Sequence, residues 1–231
     1  MVALADNEHQ GIVPVPAKLG NGEDAEHNLY WGSAYGVKTF FSRAADWERV
    51  GCSRKPQSAI LERCIFKYRS ANSYLIADAY RGVEMEQAIL DFFDSAAGIA
   101  AQTVTVSDGR GELKLPIRGG ASLVAYIGHD GLMDFPLRRL SHPNNHVHRD
   151  VVVLACASKP FFANGVRASG AYPLLWTTGL MAPEAYTLKS ALDGWIAGES
   201  NEQIRDRAAG AYEKYQKCGL RAAHRLFATG W

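Results

Sequence analysis

The chain contains the segments Ser122-Leu-Val-Ala-Tyr-Ile-Gly-His129-Asp-Gly131 and Val151-Val-Val-Leu-Ala-Cys156-Ala-Ser158. Each begins as an apolar run of strand length and ends in one reactive side chain, a histidine in the first and a cysteine in the second. Continuous apolar runs are typical of strands covered on both faces of a parallel sheet. Active residues in such sheets lie at the carboxyl ends of the strands. The two segments therefore predict an imidazole and a thiol near one another at one edge of an α/β sheet.

The composition is that of a globular protein with a hydrophobic core. Of the 231 residues, 47% are hydrophobic and 21% are charged, and the formal net charge is +1. Such a charge gives no field that would steer nucleic acid or an anionic membrane surface. No apolar stretch reaches the roughly 18 residues that a membrane span requires. We therefore expect neither nucleic acid nor a membrane as a partner.

The spacing of the four cysteines predicts free thiols rather than a metal ribbon or a disulfide framework. Cys52, Cys64, Cys156 and Cys218 form no Cys-x-x-Cys pair, which excludes the usual zinc-ribbon and redox spacings. A Cys52–Cys64 disulfide is one alternative, and free thiols in a reducing compartment are the favoured one. The segment that starts at Met1 has no basic leader, so the cytoplasm is expected, with a leader lost before Met1 as the open alternative.

The remaining pattern predicts one α/β domain. Further strands are expected at 1–5, 60–68, 73–80 and 172–178, and a hairpin at 103–116. Helices are expected at 29–47 after a cap at Asn28, at 82–93, at 183–195, at 200–217 after a Ser200 capping box, and at 220–227. The fold class is a three-layer α/β sandwich with a mostly parallel central sheet of about six strands. A single domain covers residues 1–231, with 196–231 as a C-terminal helical extension.

His129 and Cys156 are the candidate catalytic residues. Taken alone, each has an ordinary structural explanation, because histidines in apolar segments and buried cysteines are common core residues. However, Ala157-Ser158-Lys159-Pro160 leaves the second strand at once, so that Cys156 lies at its exit. There the amino end of a following helix would favour the thiolate. Gly128 and Gly131 flank His129 and would allow the backbone to approach a ligand closely.

The two segments resemble signatures of the caspase, legumain, gingipain and separase group of cysteine peptidases. In that group, an apolar strand ends in His-Gly, and a neighbouring strand ends in a small residue followed by the catalytic cysteine. Tyr126-Ile-Gly-His129-Asp-Gly131 and Leu154-Ala-Cys156-Ala-Ser158 match these signatures in order. Downstream, Leu175-Trp-Thr-Thr178 and Ala182-Pro-Glu-Ala-Tyr186 are similar to the strand and turn that line the substrate groove.

The resemblance implies a caspase–hemoglobinase fold and a cysteine endopeptidase that hydrolyses peptide or protein substrates without a cofactor. Cys156 would be the nucleophile and His129 the acid and base, while backbone N–H groups at Asp130 and Gly131 would hold the oxyanion. Leu154, Thr177 and Thr178 would lie along the substrate groove. Two residues depart from the pattern: Asp130 replaces the usual glycine, and Leu154 replaces a residue that is often Asp, Glu or Gln.

Two other interpretations stay open. The segment His146-Val-His148-Arg-Asp150 resembles the metal motif of metallo-β-lactamase-like hydrolases, in which imidazoles and a carboxylate bind zinc and activate water. Here Val151 stands where a further histidine is usual, and the motif precedes a strand rather than following one. The other interpretation is a catalytically inactive domain of the same fold that binds peptides or partners.

Overall fold

A computed structural model of the chain describes residues 1–107, 111–143 and 147–231. The described strands are β1 (Val2–Ala3), β2 (Trp47–Gln57), β3 (Ile60–Tyr68), β4 (Tyr74–Tyr80), β5 (Gln102–Ser107), β6 (Glu112–Ile117), β7 (Leu123–Ile127), β8 (Asp150–Leu154), β9 (Tyr172–Thr177) and β10 (Phe227–Ala228). The described α-helices are α1 (Val37–Arg43), α2 (Met85–Ala96), α3 (Ser158–Ser169), α4 (Ala185–Ile196), α5 (Asn201–Gln216) and α6 (Leu220–Leu226).

An eight-stranded sheet lies at the centre, in the order β10-β9-β8-β7-β1-β4-β3-β2. The five strands from β4 to β9 in this order run parallel to their neighbours, while β10, β3 and β2 join by antiparallel pairing. The prediction of a mostly parallel central sheet in an α/β fold is confirmed. The sheet has eight strands rather than about six because β2 and β10 were not predicted.

Helices cover both faces of this sheet, which gives three layers. One face packs against α1, α4, α5 and α6 through a buried cluster that includes Phe41, Leu188 and Ile204. The other face packs against α2 and α3, mainly through Phe92 and Phe162. Residues of β7 and β8 contribute alternately to the two clusters. Their near-continuous apolar sequence follows from this double burial.

The predicted helix over 29–47 is wrong for most of its length. Only α1, Val37–Arg43, is helical, and Trp47 begins β2. Asn28 does not cap a helix, because its amide pairs with the backbone of Ala5: Oδ1 accepts from the Ala5 N–H at 3.0 Å, and Nδ2 donates to the Ala5 carbonyl at 2.8 Å. The buried side chain of Asn28 thus ties the segment after β1 to the core.

The C-terminal residues 196–231 are part of the domain core. Ile204 and Tyr212 of α5 are buried against the sheet, and Phe227 of β10 pairs with Thr177 of β9. The predicted capping box is confirmed, since the Ser200 hydroxyl accepts from the Gln203 N–H and the Gln203 side chain accepts from the Ser200 N–H. The predicted hairpin is also confirmed as the β5–β6 pair, although residues 108–110 of its turn lie outside the described residues.

Cys52 and Cys64 form a disulfide, so the expectation of free thiols is wrong for this pair. They lie directly opposite one another in the β2–β3 ladder, with their Cα atoms 4.1 Å apart. Cys156, which is half-buried, and the exposed Cys218 are free. Disulfides are more typical of oxidising compartments, and the cytoplasmic location stays a prediction. None of the described helices is long and apolar enough to cross a membrane.

We predict that replacing both Cys52 and Cys64 by alanine lowers the free energy of unfolding by about 2–4 kcal/mol, because the bridge restricts the unfolded chain. Chemical denaturation monitored by tryptophan fluorescence measures this difference. Cys218→Ala is the matched control and should change stability by less than about 0.5 kcal/mol. Four titratable thiols in the native protein, together with an unchanged unfolding midpoint in the double variant, would contradict the prediction.

Candidate functional site

Cys156 lies in the tight turn that joins β8 to α3. Leu154 ends the strand, Ala155 is buried, and α3 begins at Ser158. Ala157 adopts a left-handed backbone conformation with φ 47°, which is uncommon for a residue with a side chain. The chain therefore turns sharply just after Cys156, which leaves the half-buried thiol at the carboxyl edge of the sheet beside the amino end of a helix.

Thr177 at the end of β9 holds this turn in place. Its hydroxyl oxygen accepts from the Ser158 N–H at 3.1 Å and donates to the Ala155 carbonyl. The Ser158 hydroxyl in turn donates to the Val153 carbonyl at 2.9 Å. This network connects β8, β9 and the first turn of α3, so the position of Cys156 is fixed by buried hydrogen bonds on both sides of it.

The prediction that Leu154 and Thr177 line a substrate groove is wrong. Both are fully buried, Leu154 in the core and Thr177 in the network beneath the turn, where a substrate cannot reach them. Thr178 is exposed, but its hydroxyl donates to the Arg225 carbonyl and its N–H donates to the Leu226 carbonyl. Its role in the structure is to join β9 to the segment that leads into β10.

The sulfur of Cys156 contacts the loop that follows β9. The Met181 N–H donates to Sγ at 3.4 Å, and the thiol donates to the Met181 carbonyl at 3.5 Å. Tyr30 and Tyr212 lie near Cys156. Burial is the main cause that raises the pKa of both phenols, with smaller contributions from Cys156 and Glu184. Both hydroxyls consequently keep their protons at neutral pH.

His129 follows β7 in the same way that Cys156 follows β8. The last register pair of these parallel strands joins Ile127 to Leu154, so His129 and Cys156 are each two residues beyond it. Gly128 between Ile127 and His129 has φ +148°, and a Cβ there would lie 2.9 Å from the Ala3 carbonyl oxygen of β1. Only glycine therefore allows the chain to leave β7 this close to the neighbouring strand.

A carboxylate that the sequence pattern does not reveal fixes the imidazole of His129. Nε2 lies 2.8 Å from Oδ2 of Asp134, which also accepts from the Gly11 N–H at 3.1 Å. Because a carboxylate only accepts hydrogen bonds, Nε2 must carry the proton in the neutral ring, and Nδ1 keeps the lone pair. The only sequence signal for this role was an acidic residue five positions after His129, within the loop that begins at Gly131.

Asp130 and Gly131, the predicted oxyanion donors, have different environments. Asp130 has φ −78°, so a residue with a side chain fits at the position where the caspase-group signature has glycine. The Gly131 N–H donates to the His129 carbonyl at 3.1 Å and is therefore already engaged. The Asp130 N–H donates to no acceptor among residues 1–107, 111–143 and 147–231. Of the two predicted donors, only the N–H of Asp130 is unpaired within the described residues, and Asp130 is fully buried.

The side chain of Asp130 is fully buried, which makes it the most perturbed acid of the site. Burial raises its pKa to about 7; the hydrogen bond from the Leu132 N–H opposes this rise, and the charge of Asp134 adds to it. Oδ1 accepts that N–H at 3.0 Å, whereas Oδ2 has no partner within the described part of the chain. A carboxyl group in this environment is largely protonated below neutral pH.

The competing zinc motif lies before β8, at the amino ends of the parallel strands and thus opposite to the end that holds Cys156. His148 Nε2 is 3.1 Å from Oδ1 of Asp150, whose other oxygen accepts from the Trp195 indole. His146 lies outside the described residues. In the described chain, the grouping of His, Cys, Asp and Glu side chains compact enough for a metal is Cys52, Glu62 and Cys64, and both of its sulfurs are joined in the disulfide.

A cavity of about 450 Å³ opens at this opposite edge, away from the thiol. Its walls are predominantly apolar and include neither His129 nor Cys156. The candidate site is therefore located by its reactive groups and not by cavity volume. It consists of the Cys156 thiol, the His129 imidazole, the Asp134 carboxylate and the N–H groups of Asp130 and Met181.

Comparisons with known proteins add no relative: no protein-family model matches the chain, and neither the curated proteins nor the solved structures contain a match. The chemistry must therefore be inferred from the site itself. A thiol, an imidazole with a free lone pair and a carboxylate that orients the ring are the components of nucleophilic acyl transfer.

The raised pKa of Asp130 predicts a distinct pH dependence of stability. The folded state holds the proton up to about pH 7, whereas the unfolded state releases it near 3.8. The stabilisation of the folded state by protonated Asp130 is therefore fully present below pH 3.8. It is lost as the pH rises from 3.8 through 7, and the free energy of unfolding falls by about 1.4 kcal/mol for each unit of pKa shift. Thermal unfolding between pH 4 and 8 measures this slope.

Asp130→Asn should flatten that slope, because the amide does not titrate and can still accept from the Leu132 N–H. Its own buried NH₂ group costs about 1–3 kcal/mol at every pH, so the slope rather than the absolute stability is the readout. Glu8→Gln, at an exposed position of the N-terminal segment, is the control and should leave the slope unchanged. An identical pH profile for Asp130→Asn and the parent would show that Asp130 is ionised throughout.

Proposed function

We propose that this protein is a cysteine-dependent peptide-bond hydrolase of the caspase-like type. The observation that carries the proposal is the register of β7 and β8, which puts His129 and Cys156 at equivalent positions past the carboxyl ends of adjacent parallel strands. Peptide or protein substrates then meet the thiol at the edge of the sheet where α/β folds bind their ligands. The resemblance of both segments to caspase-group signatures supports the same chemistry.

The proposed mechanism begins with proton transfer. Nδ1 of His129 accepts the proton of the Cys156 thiol while Asp134 holds Nε2–H and stabilises the imidazolium. The thiolate attacks the scissile carbonyl carbon, and the resulting oxyanion accepts from the unpaired N–H of Asp130 once the turn after His129 opens, because Asp130 is fully buried in this structure. His129 then protonates the leaving amine as the C–N bond breaks. Water, deprotonated by His129, attacks the thioester and releases the acid and the free thiol.

A second candidate function is an inactive domain of the same type that binds peptides. The observation in its favour is the pair of contacts between the Cys156 sulfur and the backbone of Met181. A substrate carbonyl can approach the sulfur only if this loop moves. The neighbouring Leu180 is 77% exposed, so the loop presents an apolar side chain beside the thiol, as a peptide-binding edge would.

We predict that iodoacetamide near neutral pH alkylates Cys156 before Cys218. Exposure alone would give the reverse order, since Cys218 is exposed and Cys156 is half-buried. Faster labelling of Cys156 would therefore report an activated thiol. Peptide mapping by mass spectrometry measures the two rates, with Cys156→Ala as the assignment control. Preferential labelling of Cys218 in the folded protein would argue for the inactive binding domain.

The second functional prediction concerns the histidine. His129→Ala should reduce hydrolysis of a fluorogenic peptide library by about 10²- to 10⁴-fold, the usual worth of general acid–base catalysis. Asp134→Asn should lower kcat more than it changes KM, because it disturbs the orientation of the ring and not the binding of the peptide. Cys156→Ala should remove the activity altogether.

The matched control is His142→Ala, on the exposed loop before β8, which should leave the rate unchanged. Activity should also withstand chelators, whereas a zinc enzyme built on His148 and Asp150 would lose it. Circular dichroism confirms that each variant is folded. A folded Cys156→Ala protein that still cleaves peptides, or a parent protein that cleaves none, would contradict the peptidase.

A further inference from the structure

Glu184 ends the loop that covers the candidate nucleophile. Met181 contacts the Cys156 sulfur through both its N–H and its carbonyl group, and Glu184 follows three residues later, directly before α4. Three extended residues span at most about 11 Å. The Glu184 N–H donates to the Ala182 carbonyl at 2.9 Å, so this segment turns instead of extending. Glu184 therefore belongs to the immediate surroundings of the thiol.

Two tyrosines connect the carboxylate with the thiol. Tyr30 and Tyr212 each lie near both Cys156 and Glu184. The Tyr212 hydroxyl accepts from the Ala182 N–H at 3.1 Å, within the loop that joins the two groups. A molecule that reaches the sulfur from this side therefore meets phenol rings and one carboxylate.

Only one oxygen of the Glu184 carboxylate is used by the protein. Oε2 accepts from the Tyr186 hydroxyl at 2.8 Å and from Nε2 of Gln216 at 3.2 Å. These donors belong to α4 and α5, which hold the half-buried side chain in place. Oε1 accepts from no donor in the described part of the chain and is open to solvent. One oxygen is thus anchored, and the other is available to a ligand.

The charge of Glu184 has no counterpart in the protein. Among residues 1–107, 111–143 and 147–231, no lysine, arginine or histidine forms an ion pair with it; burial raises its pKa, and its two hydrogen bonds oppose that rise. Asp134, by contrast, is paired with His129. Carboxylates withdrawn from water are usually paired with a cation. The missing cation at Glu184 is therefore one that a ligand can supply.

An aromatic ring adjoins this carboxylate. The Tyr35 carbonyl accepts from the Ala185 N–H at 2.9 Å, which places Tyr35 beside the start of α4. Its ring packs edge-on against that of Tyr186, with the ring centres 5.9 Å apart, and Tyr35 is 43% exposed. Exposed phenol faces attract cations and cover the apolar stems of long basic side chains.

The bonds already made by Oε2 decide between the two basic side chains. A guanidinium binds a carboxylate best through two parallel hydrogen bonds, one to each oxygen. Oε2 already accepts two hydrogen bonds, so the second bond of such a pair is blocked. An ammonium group is a compact point charge and requires one oxygen only. The geometry of Glu184 therefore favours lysine over arginine.

We propose that Glu184 binds the ammonium group of a lysine beside the scissile bond, so that lysine-containing peptides are the substrates of the thiol site. The inference rests on the peptidase proposed above. Oε1 of Glu184 accepts from the ammonium group, and the four-carbon stem of the lysine lies along Tyr35. Glu184 thereby determines specificity, while Cys156 and His129 carry out the reaction.

The first test measures binding to Cys156→Ala protein, so that its outcome does not depend on peptidase activity. The probe is the peptide Ser-Ala-Lys-Ser-Gly with fluorescein on its amino end and an amidated carboxyl end, which leaves lysine as its only cation. Fluorescence anisotropy should show that it binds at least about tenfold more tightly than the same peptide with norleucine, because a hydrogen bond to a charged group is lost. The arginine peptide should bind more weakly than the lysine peptide.

A variant assigns this difference to Glu184. Glu184→Gln, made in the Cys156→Ala protein, keeps an oxygen that accepts from Tyr186 and Gln216 but lacks the charge. It should bind the lysine peptide as weakly as the norleucine peptide. Glu112→Gln, at an exposed position of β6, is the matched control and should keep the tenfold preference. Equal binding of the lysine and norleucine peptides would overturn the proposal even if the variant did not fold, and so would a lysine preference that survives in folded Glu184→Gln.

The second test measures hydrolysis of the same peptides by the parent protein, followed by mass spectrometry. We expect kcat/KM for the lysine peptide to exceed that for the norleucine peptide at least tenfold. Tight binding of the lysine peptide without cleavage would support the role of Glu184 and contradict the peptidase. Cleavage of both peptides at equal rates would support the peptidase and overturn the role of Glu184.

Discussion

The parallel pairing of β7 with β8 is the constraint on which the rest of the structure depends. Each strand is buried on both faces, and the pair Ile127–Leu154 fixes their register. A shift by one residue would exchange the two sets of core side chains between the faces of the sheet. The same register aligns His129 with Cys156. Core packing and the alignment of the two reactive residues are thus a single structural property.

Local sequence patterns were sufficient to predict the elements that form through interactions between neighbouring residues. Continuous apolar sequence identified β7 and β8, the turn sequence after Ser107 identified the hairpin, and Ser200 with Gln203 identified the start of α5. Each of these signals acts through neighbouring residues or through burial on both faces of a sheet. The positions of His129 and Cys156 at strand ends followed from the same patterns, because a strand end is visible where the apolar run stops.

Long-range partners account for what the sequence did not reveal. Asn28 has the character of a helix cap but pairs with Ala5, and the helix predicted after it begins only at Val37. Thr177 has the character of an exposed strand end but supports the turn at Cys156 from a buried position. Cys52 meets Cys64 only because β2 and β3 form a hairpin. None of these pairings leaves a periodic signal in the sequence.

The protonation states of the buried acid and phenols determine which groups of the candidate site carry a charge. Burial keeps Asp130 protonated below about pH 7 and raises the pKa of Tyr126 and Tyr30 well above their ordinary range. Around His129, negative charge is thereby concentrated on Asp134, in direct contact with the imidazole. An imidazolium at His129 is stabilised by that carboxylate, while a thiolate at Cys156 is not opposed by charge on the buried Asp130. Asp130, which stands where the caspase-group signature has glycine, therefore adds no negative charge beside His129 as long as its carboxyl keeps its proton.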